Sequence, residues 1–225
     1  MKVFWYFLML FLPLKGSAQG YVSFPDSNAT WVNVAYYVDG PFPFLTWQYV
    51  TTVDNYCVGN QDTVIGAYTY NQIHYCEGNY KGAYRDNGGQ VFFIPKDSTA
   101  EIIWYDFTLD EGDTINSYSE TLWMCDYYIV SNIDSVEING IYRTIVEFEM
   151  GDPWIEGIGC TSGLFWDHCA NNNISGGYFE LYCFSQNDTI YDPVSYNFIP
   201  GVQCLLPQVG FENKSEFSLI DVYPN

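Results

Sequence analysis

Basic residues are scarce in this chain. It has 7 Lys and Arg residues against 27 Asp and Glu residues, which gives a formal net charge of −20 at pH 7. Such a chain would be repelled by a phosphate backbone and by an anionic lipid surface, so we expect neither nucleic acid nor an acidic membrane as a partner. Solubility and a self-repelling surface explain the acidic balance, and divalent-cation binding is the alternative.

Long apolar runs are missing after the first 14 residues. Lys2 precedes an apolar stretch over residues 3–14, and Gly16-Ser17-Ala18 then supplies small residues at the spacing of a cleavage site. This order predicts a signal peptide over residues 1–18. The stretch is shorter than the about 20 residues of a membrane helix, so we expect an exported chain without a transmembrane segment.

Closely spaced cysteine pairs are absent, which argues against zinc and redox motifs. Because disulfides persist outside the cytosol, we expect at least two of them in an exported chain. Neighbours in the sequence make the candidate pairs, and other pairings stay open because six cysteines allow 15 connectivities. The candidates among the seven cysteines are Cys57 with Cys76, Cys160 with Cys169, and Cys183 with Cys204. The odd number leaves one thiol unpaired or bonded to another chain.

Helical periodicity with caps is lacking as well. Short segments rich in β-branched and aromatic residues recur instead, bounded by Gly, Asn, Asp and Pro. Asn87-Gly88-Gly89, Asn139-Gly140 and Gln186-Asn187-Asp188 separate such segments and predict tight hairpins. We therefore predict one all-β domain over residues 21–206, a single antiparallel meander forming a barrel or sandwich, with an open half-barrel as the alternative.

Catalytic motifs are also missing: the chain has no G-x-S-x-G elbow. Cys160 and His168 could form a nucleophile–base pair, but we favour a disulfide for Cys160 and a loop position for His168. Carboxylates near one another in sequence, Glu147, Glu149 and Glu156, are the candidates for a secreted hydrolase.

Metal-binding motifs of the H-E-x-x-H and twelve-residue calcium-loop kinds do not occur. Asp106, Asp110 and Asp113, with Glu111 between them, cluster around a predicted turn and could offer oxygen ligands to Ca²⁺. We favour a solvated acidic turn and predict no cofactor.

Aromatic residues, in contrast, make up 20% of the chain. Cross-strand packing accounts for most of them in a sheet protein. Trp154 and Trp166, beside turn residues, are the least core-like, and with Glu156 they form our candidate binding site. A non-catalytic module that binds a glycan or another surface component is the expected function, with a carboxylate-dependent hydrolase and a structural spacer as alternatives.

A resemblance to a family comes from the end of the chain. After a polar stretch that we interpret as a linker (207–218), residues 219–225 end in Val222-Tyr223-Pro224-Asn225. They resemble the opening of the type A C-terminal sorting domain of the type IX secretion system, of which the remainder is absent. Segments such as Gly112-Asp113-Thr114-Ile115 are similar to ones in secreted proteins of Bacteroidota. The resemblance implies export through the periplasm to the cell surface or the medium, with the secretion machinery as a partner, and no particular activity.

Overall fold

The computed structural model describes residues 20–39, 47–116, 127–165, 177–187, 189–192 and 204. Within these ranges the chain forms β-strands and no helix, so the all-β prediction is confirmed. The strands are β1 (Ala29–Asp39), β2 (Trp47–Ile65), β3 (Tyr68–Tyr75), β4 (Tyr80–Asp86), β5 (Gln90–Pro95), β6 (Ile102–Asp106), β7 (Thr114–Ile115), β8 (Tyr128–Ile138), β9 (Ile141–Phe148), β10 (Trp154–Ile155), β11 (Gly159–Cys160), β12 (Gly177–Gln186) and β13 (Thr189–Tyr191).

Two curled antiparallel sheets, each a half-barrel, make up the domain. The larger sheet has the order β13-β12-β1-β2-β3-β4-β5-β6, and the smaller one has the order β11-β10-β9-β8-β7. Each sheet contains a meander of consecutive strands, as the sequence predicts. The chain leaves the large sheet after β6, builds the small sheet, and returns to pair β12 with β1.

The predicted hairpin turns are where the sequence places them. Asn139 and Gly140 join β8 to β9 with φ angles of 52° and 80°, and Ile138 pairs with Ile141 across the turn. Asn and Gly tolerate these positive angles better than other residues, so this dipeptide fixes the register of the hairpin. Gly88 and Gly89 likewise have positive φ angles between β4 and β5.

A single aromatic core joins the two sheets. Trp31 of β1, Trp104 of β6 and Trp154 of β10 are each at most 1% exposed. Phe24, which precedes β1, lies 5.7 Å from the Trp31 ring and 5.6 Å from the Trp104 ring, centroid to centroid. Edge-on and offset ring contacts of this kind add stabilisation beyond the area they bury.

Two of the predicted disulfides are present. Cys57 of β2 is bonded to Cys76, directly after β3, with a Cα–Cα distance of 5.0 Å. Cys183 of β12 is bonded to Cys204, with a Cα–Cα distance of 5.7 Å. Cys160 is buried in the core, and its candidate partner Cys169 lies outside the described residues.

Several predicted regions also lie outside the described residues: the signal peptide (1–18), the linker (207–218) and the start of the sorting domain (219–225). In the part of the chain that the structure describes, no helix is long and apolar enough to span a bilayer.

Candidate ligand-binding cleft

A cleft of about 400 Å³ lies where the segment before β1 meets both sheets. We call residues 20–25 the N-terminal strap. The cleft is bordered by the strap, the β4–β5 turn, the chain after β6, strands β8 and β9, and the turn between β10 and β11. Its lining includes Tyr21, Phe107, Thr108, Ser135, Arg143, Thr144 and Glu156. The volume is within the range of small-molecule sites in proteins.

Two carboxylates hold the strap in place. The Val22 amide donates to Glu156 Oε1 at 3.0 Å, and the Phe24 amide donates to Asp86 Oδ2 at 2.8 Å. The Tyr21 hydroxyl also donates to Asp86 Oδ2, at 2.6 Å. Since the strap is not part of a sheet, the bonds from the Val22 and Phe24 amides satisfy main-chain donors that would otherwise be left without acceptors. They fix the strap as one wall of the cleft.

Glu156 is buried at the base of this arrangement, with 5% of its surface exposed. Its Oε2 accepts a hydrogen bond from the Thr144 amide of β9 at 2.8 Å, while Oε1 accepts the one from Val22. Both oxygens are therefore engaged by main-chain donors from two separate elements. A carboxylate bound in this way joins the strap to the small sheet.

Arg143 lies beside Glu156 and is 4% exposed. Its Nη1 donates to the main-chain oxygen of Glu156 at 2.9 Å, but its Nε has no hydrogen-bond partner among the described residues. Burial lowers the pKa of the Arg143 guanidinium, and the negative charge of Glu156 acts in the opposite direction. The cleft thus contains a buried cation with incomplete hydrogen bonding.

Aromatic rings and hydroxyl groups complete the lining. Tyr21 and Phe107 contribute the rings, and Tyr21 is 39% exposed. Burial, followed by the hydrogen bond to Asp86, raises the pKa of the Tyr21 hydroxyl, so this group stays protonated at ordinary pH. Thr108, Ser135 and Thr144 add hydroxyl groups. This mixture of flat apolar faces and small polar groups suits a polar ligand with an apolar side.

The three carboxylates proposed for hydrolysis do not meet in this cleft. Glu147 Oε2 accepts a hydrogen bond from Asn132 Nδ2 at 2.9 Å across the β8–β9 pair, and Glu149 is exposed after β9. Among the described residues, Glu156 alone of the three lines the cleft. General acid–base hydrolysis of a glycoside needs two carboxyl groups facing the same bond, and this arrangement brings only one.

The prediction that Trp154 lies outside the core and forms part of a binding site is wrong. This residue is 0% exposed and lies 4.6 Å from Phe148 and 5.2 Å from Tyr105, ring centroid to ring centroid. The turn residues beside it close the small sheet over the core, so proximity to a turn does not place the ring at the surface. Trp166 lies outside the described residues.

The carboxylates of the predicted acidic turn after β6 make separate contacts. Asp106 is buried and accepts hydrogen bonds from Gln90 Nε2 and from the amide and hydroxyl of Thr108. Asp113 Oδ2 accepts from the Asp110 amide, and both residues are exposed. In the described ranges, no three His, Cys, Asp or Glu side chains are grouped as metal ligands would be. His168, the proposed base for Cys160, lies outside those ranges.

Sequence reasoning missed Arg143, Tyr21 and Asp86 as parts of this site. The alternation of β9 does not predict a buried Arg143, because this residue lies on the opposite face of the strand from the buried Val146 and Phe148. The signal for Glu156 is a single charge within the apolar segment 154–159, which predicts a buried carboxylate with fixed donors.

Comparison of the chain with known proteins finds no matching family model, no matching curated protein and no matching solved structure.

Proposed function

We propose that this protein is an exported, non-catalytic binding module and that the cleft between the strap and the small sheet takes a short saccharide. The observation that carries this proposal is the composition of the cleft. It combines two aromatic rings and three hydroxyl side chains with a carboxylate whose two oxygens are both engaged by main-chain amides.

A saccharide fits this lining for physical reasons. A pyranose ring has an apolar C–H face and a rim of hydroxyl groups. The rings of Tyr21 and Phe107 offer the flat apolar surface, and the Ser135 and Thr144 hydroxyls can both donate and accept hydrogen bonds. The Thr108 hydroxyl donates to Asp106 and can still accept one. Because the wall formed by the strap is fixed by Glu156 and Asp86, little ordering is left to be done when a ligand binds.

Export is the second part of the proposal. The two disulfides are typical of chains that leave the reducing cytosol. The apolar leader at residues 3–14 and the terminal segment at 219–225 support a route through the periplasm and the type IX system to the cell surface or the medium.

The test combines binding and hydrolysis on the purified chain without its leader. We expect binding on an oligosaccharide array and no release of reducing ends from the same sugars. A Ser135→Trp variant, which places a bulky ring in the cleft at an exposed strand position, is expected to abolish binding and keep the fold.

Three results contradict the proposal. Hydrolysis that is lost in Glu147→Gln or Glu149→Gln, or in a Glu156→Gln variant that is still folded, establishes the hydrolase instead. The absence of both binding and hydrolysis favours a structural spacer. Binding that survives Ser135→Trp places the ligand elsewhere on the molecule.

A further inference from the structure

We infer that the cleft selects an uncharged saccharide and that Arg143 is the residue that recognises it, through an acceptor oxygen of the ligand. This inference rests on the function proposed above and specifies the class of ligand and the residue that binds it.

The guanidinium of Arg143 has incomplete hydrogen bonding. Its side chain lines the cleft and is 96% enclosed by protein, since only 4% of the residue is exposed. Nη1 has an acceptor in the main-chain oxygen of Glu156, whereas Nε has none in the part of the chain that the structure describes. A buried donor without an acceptor is costly, and one on a charged group is more so. An oxygen of the ligand, or a water that the ligand holds, would offset this cost by accepting a hydrogen bond where Arg143 borders the cleft.

The Arg143 guanidinium is closely packed on the side of Gly157. A Cβ atom built on Gly157 would lie 2.6 Å from Arg143 Nη1 and 3.1 Å from the main-chain oxygens of Val22 and Ser23. The guanidinium is therefore held closely between the turn after β10 and the strap. A side chain at position 157 would displace it.

The charges in and around the cleft disfavour an acidic ligand. Of the described residues that line the cleft, Arg143 and Glu156 have opposite charges, and Asp86 lies directly behind Tyr21. The positive charge of Arg143 is thus already opposed by Glu156. The chain as a whole has a formal net charge of −20, which repels acidic ligands on approach. A hydroxyl or carbonyl oxygen can meet Arg143 without this repulsion, whereas a uronate cannot.

The experiment uses the chain without its leader and four probes: cellohexaose, maltohexaose, chitohexaose and hexagalacturonate. Titration calorimetry is expected to show binding of at least one of the three neutral probes and none of hexagalacturonate. Arg143→Met keeps the apolar stem and removes every donor. We expect it to weaken binding by roughly 10- to 150-fold, the effect of one hydrogen bond to a charged group.

Arg85→Met is the matched control, because Arg85 is stacked between Tyr68 and Phe92, away from the cleft. We expect its affinity to equal that of the native chain. If Arg143→Met does not fold, Arg143→Lys decides the matter, since it keeps the charge but removes Nε–H and the planar fork. Its affinity is expected to fall as well.

Two outcomes overturn the inference and leave the proposed function standing: tighter binding of hexagalacturonate than of the neutral probes, or native affinity in both Arg143 variants while Ser135→Trp abolishes binding. If none of the four probes binds, the inference fails, and the proposed function fails with it only when the oligosaccharide array shows no binding either.

Discussion

Glu156 shows how much one side chain determines in this molecule. Carboxylates are seldom buried without partners, and this one is 5% exposed with both oxygens accepting main-chain hydrogen bonds. It connects the strap to β9 and lies next to Arg143. Its role as an acceptor of two amides makes it a structural group first, whatever else binds in the cleft.

We predict that Glu156→Gln destabilises the fold by about 2–3 kcal/mol. The amide of glutamine presents a donor where the Val22 or Thr144 N–H needs an acceptor, and Arg143 loses the charge that opposes its own. Urea denaturation measures the change. Glu149→Gln, at an exposed position in the same part of the chain, is the control and should stay within about 0.5 kcal/mol of the native stability. Equal midpoints for the two variants would show that the strap is held by other contacts.

The sequence predicts some of these residue-scale features and misses others for a definable reason. Asn139-Gly140 and the cysteine pairs are local signals, because the turn and the crosslink join positions close in sequence. The site depends on Val22 meeting Glu156, two positions more than 130 residues apart. Nothing in the spacing of residues encodes that contact, so Glu156 is singled out by the sequence but its role is not.

A second residue-scale feature lies on the outer face of the large sheet. Arg85 Nε and Nη2 donate to the two oxygens of Glu101 at 2.7 and 2.9 Å, and the Tyr70 hydroxyl donates to Glu101 as well. The hydrogen bonds from Arg85, the largest influence, and from Tyr70 lower the pKa of Glu101. The pair is partly solvated, so it contributes about as much to the free energy of unfolding as a good surface ion pair.

We predict that Glu101→Gln costs about 1 kcal/mol at neutral pH and that this difference disappears in acid. A lowered folded-state pKa gives stability that is complete above the ordinary value of 4.5 and is lost as the pH falls through the folded-state value. Urea midpoints of both proteins over a pH series from about 7 to 3 test this. The same substitution in an Arg85→Met background should show a smaller difference at neutral pH. A difference that is constant with pH in the native background would contradict the assignment to charge.

At the scale of the elements, β2 differs most from what its sequence indicates. Its 19 residues form one strand, although two separate segments, Thr46–Val53 and Asp62–Ile65, have the clearer strand pattern. The register against β3 shifts between Val58 and Asp62, so the polar residues there are accommodated in an irregularity within a continuous strand. The alternation of side chains between the two faces of the sheet is broken at that point. An assignment based on this alternation therefore ends the strand too early.

The disulfide between Cys57 and Cys76 reinforces this same strand pair. The loop it closes spans 19 residues. For a loop of this length, the loss of unfolded-state entropy corresponds to about 3 kcal/mol. We predict that the double variant Cys57→Ser, Cys76→Ser is destabilised by about that amount in urea denaturation without reductant.

The Cys183–Cys204 bond provides the comparison, since it closes a loop of similar length, 21 residues. Its double serine variant should lose a similar amount. A native midpoint in the Cys57, Cys76 variant would show that the reduced unfolded chain is already restricted in that region.

At the scale of the whole molecule, the two half-barrels share one aromatic core, and the cleft lies where the strap crosses from one to the other. Fold class is predictable from the sequence because alternation and turns are local. The division into two sheets is not, because it depends on where β6 ends and β7 begins to pair with β8, and β7 has only two residues.

The pairing of β1 with β12 has a consequence for the kinetics of folding. Ala29 and Gln186 are partners in the ladder although roughly 150 residues separate them. Contacts between positions so far apart raise the contact order and slow the search for the native state. A chain emerging from a ribosome can pair β1 with β2 early, but it cannot pair β1 with β12 until nearly the whole domain has been synthesised. Until then the edge of β1 that pairs with β12 has no partner, so the nascent chain stays incompletely folded during most of its synthesis.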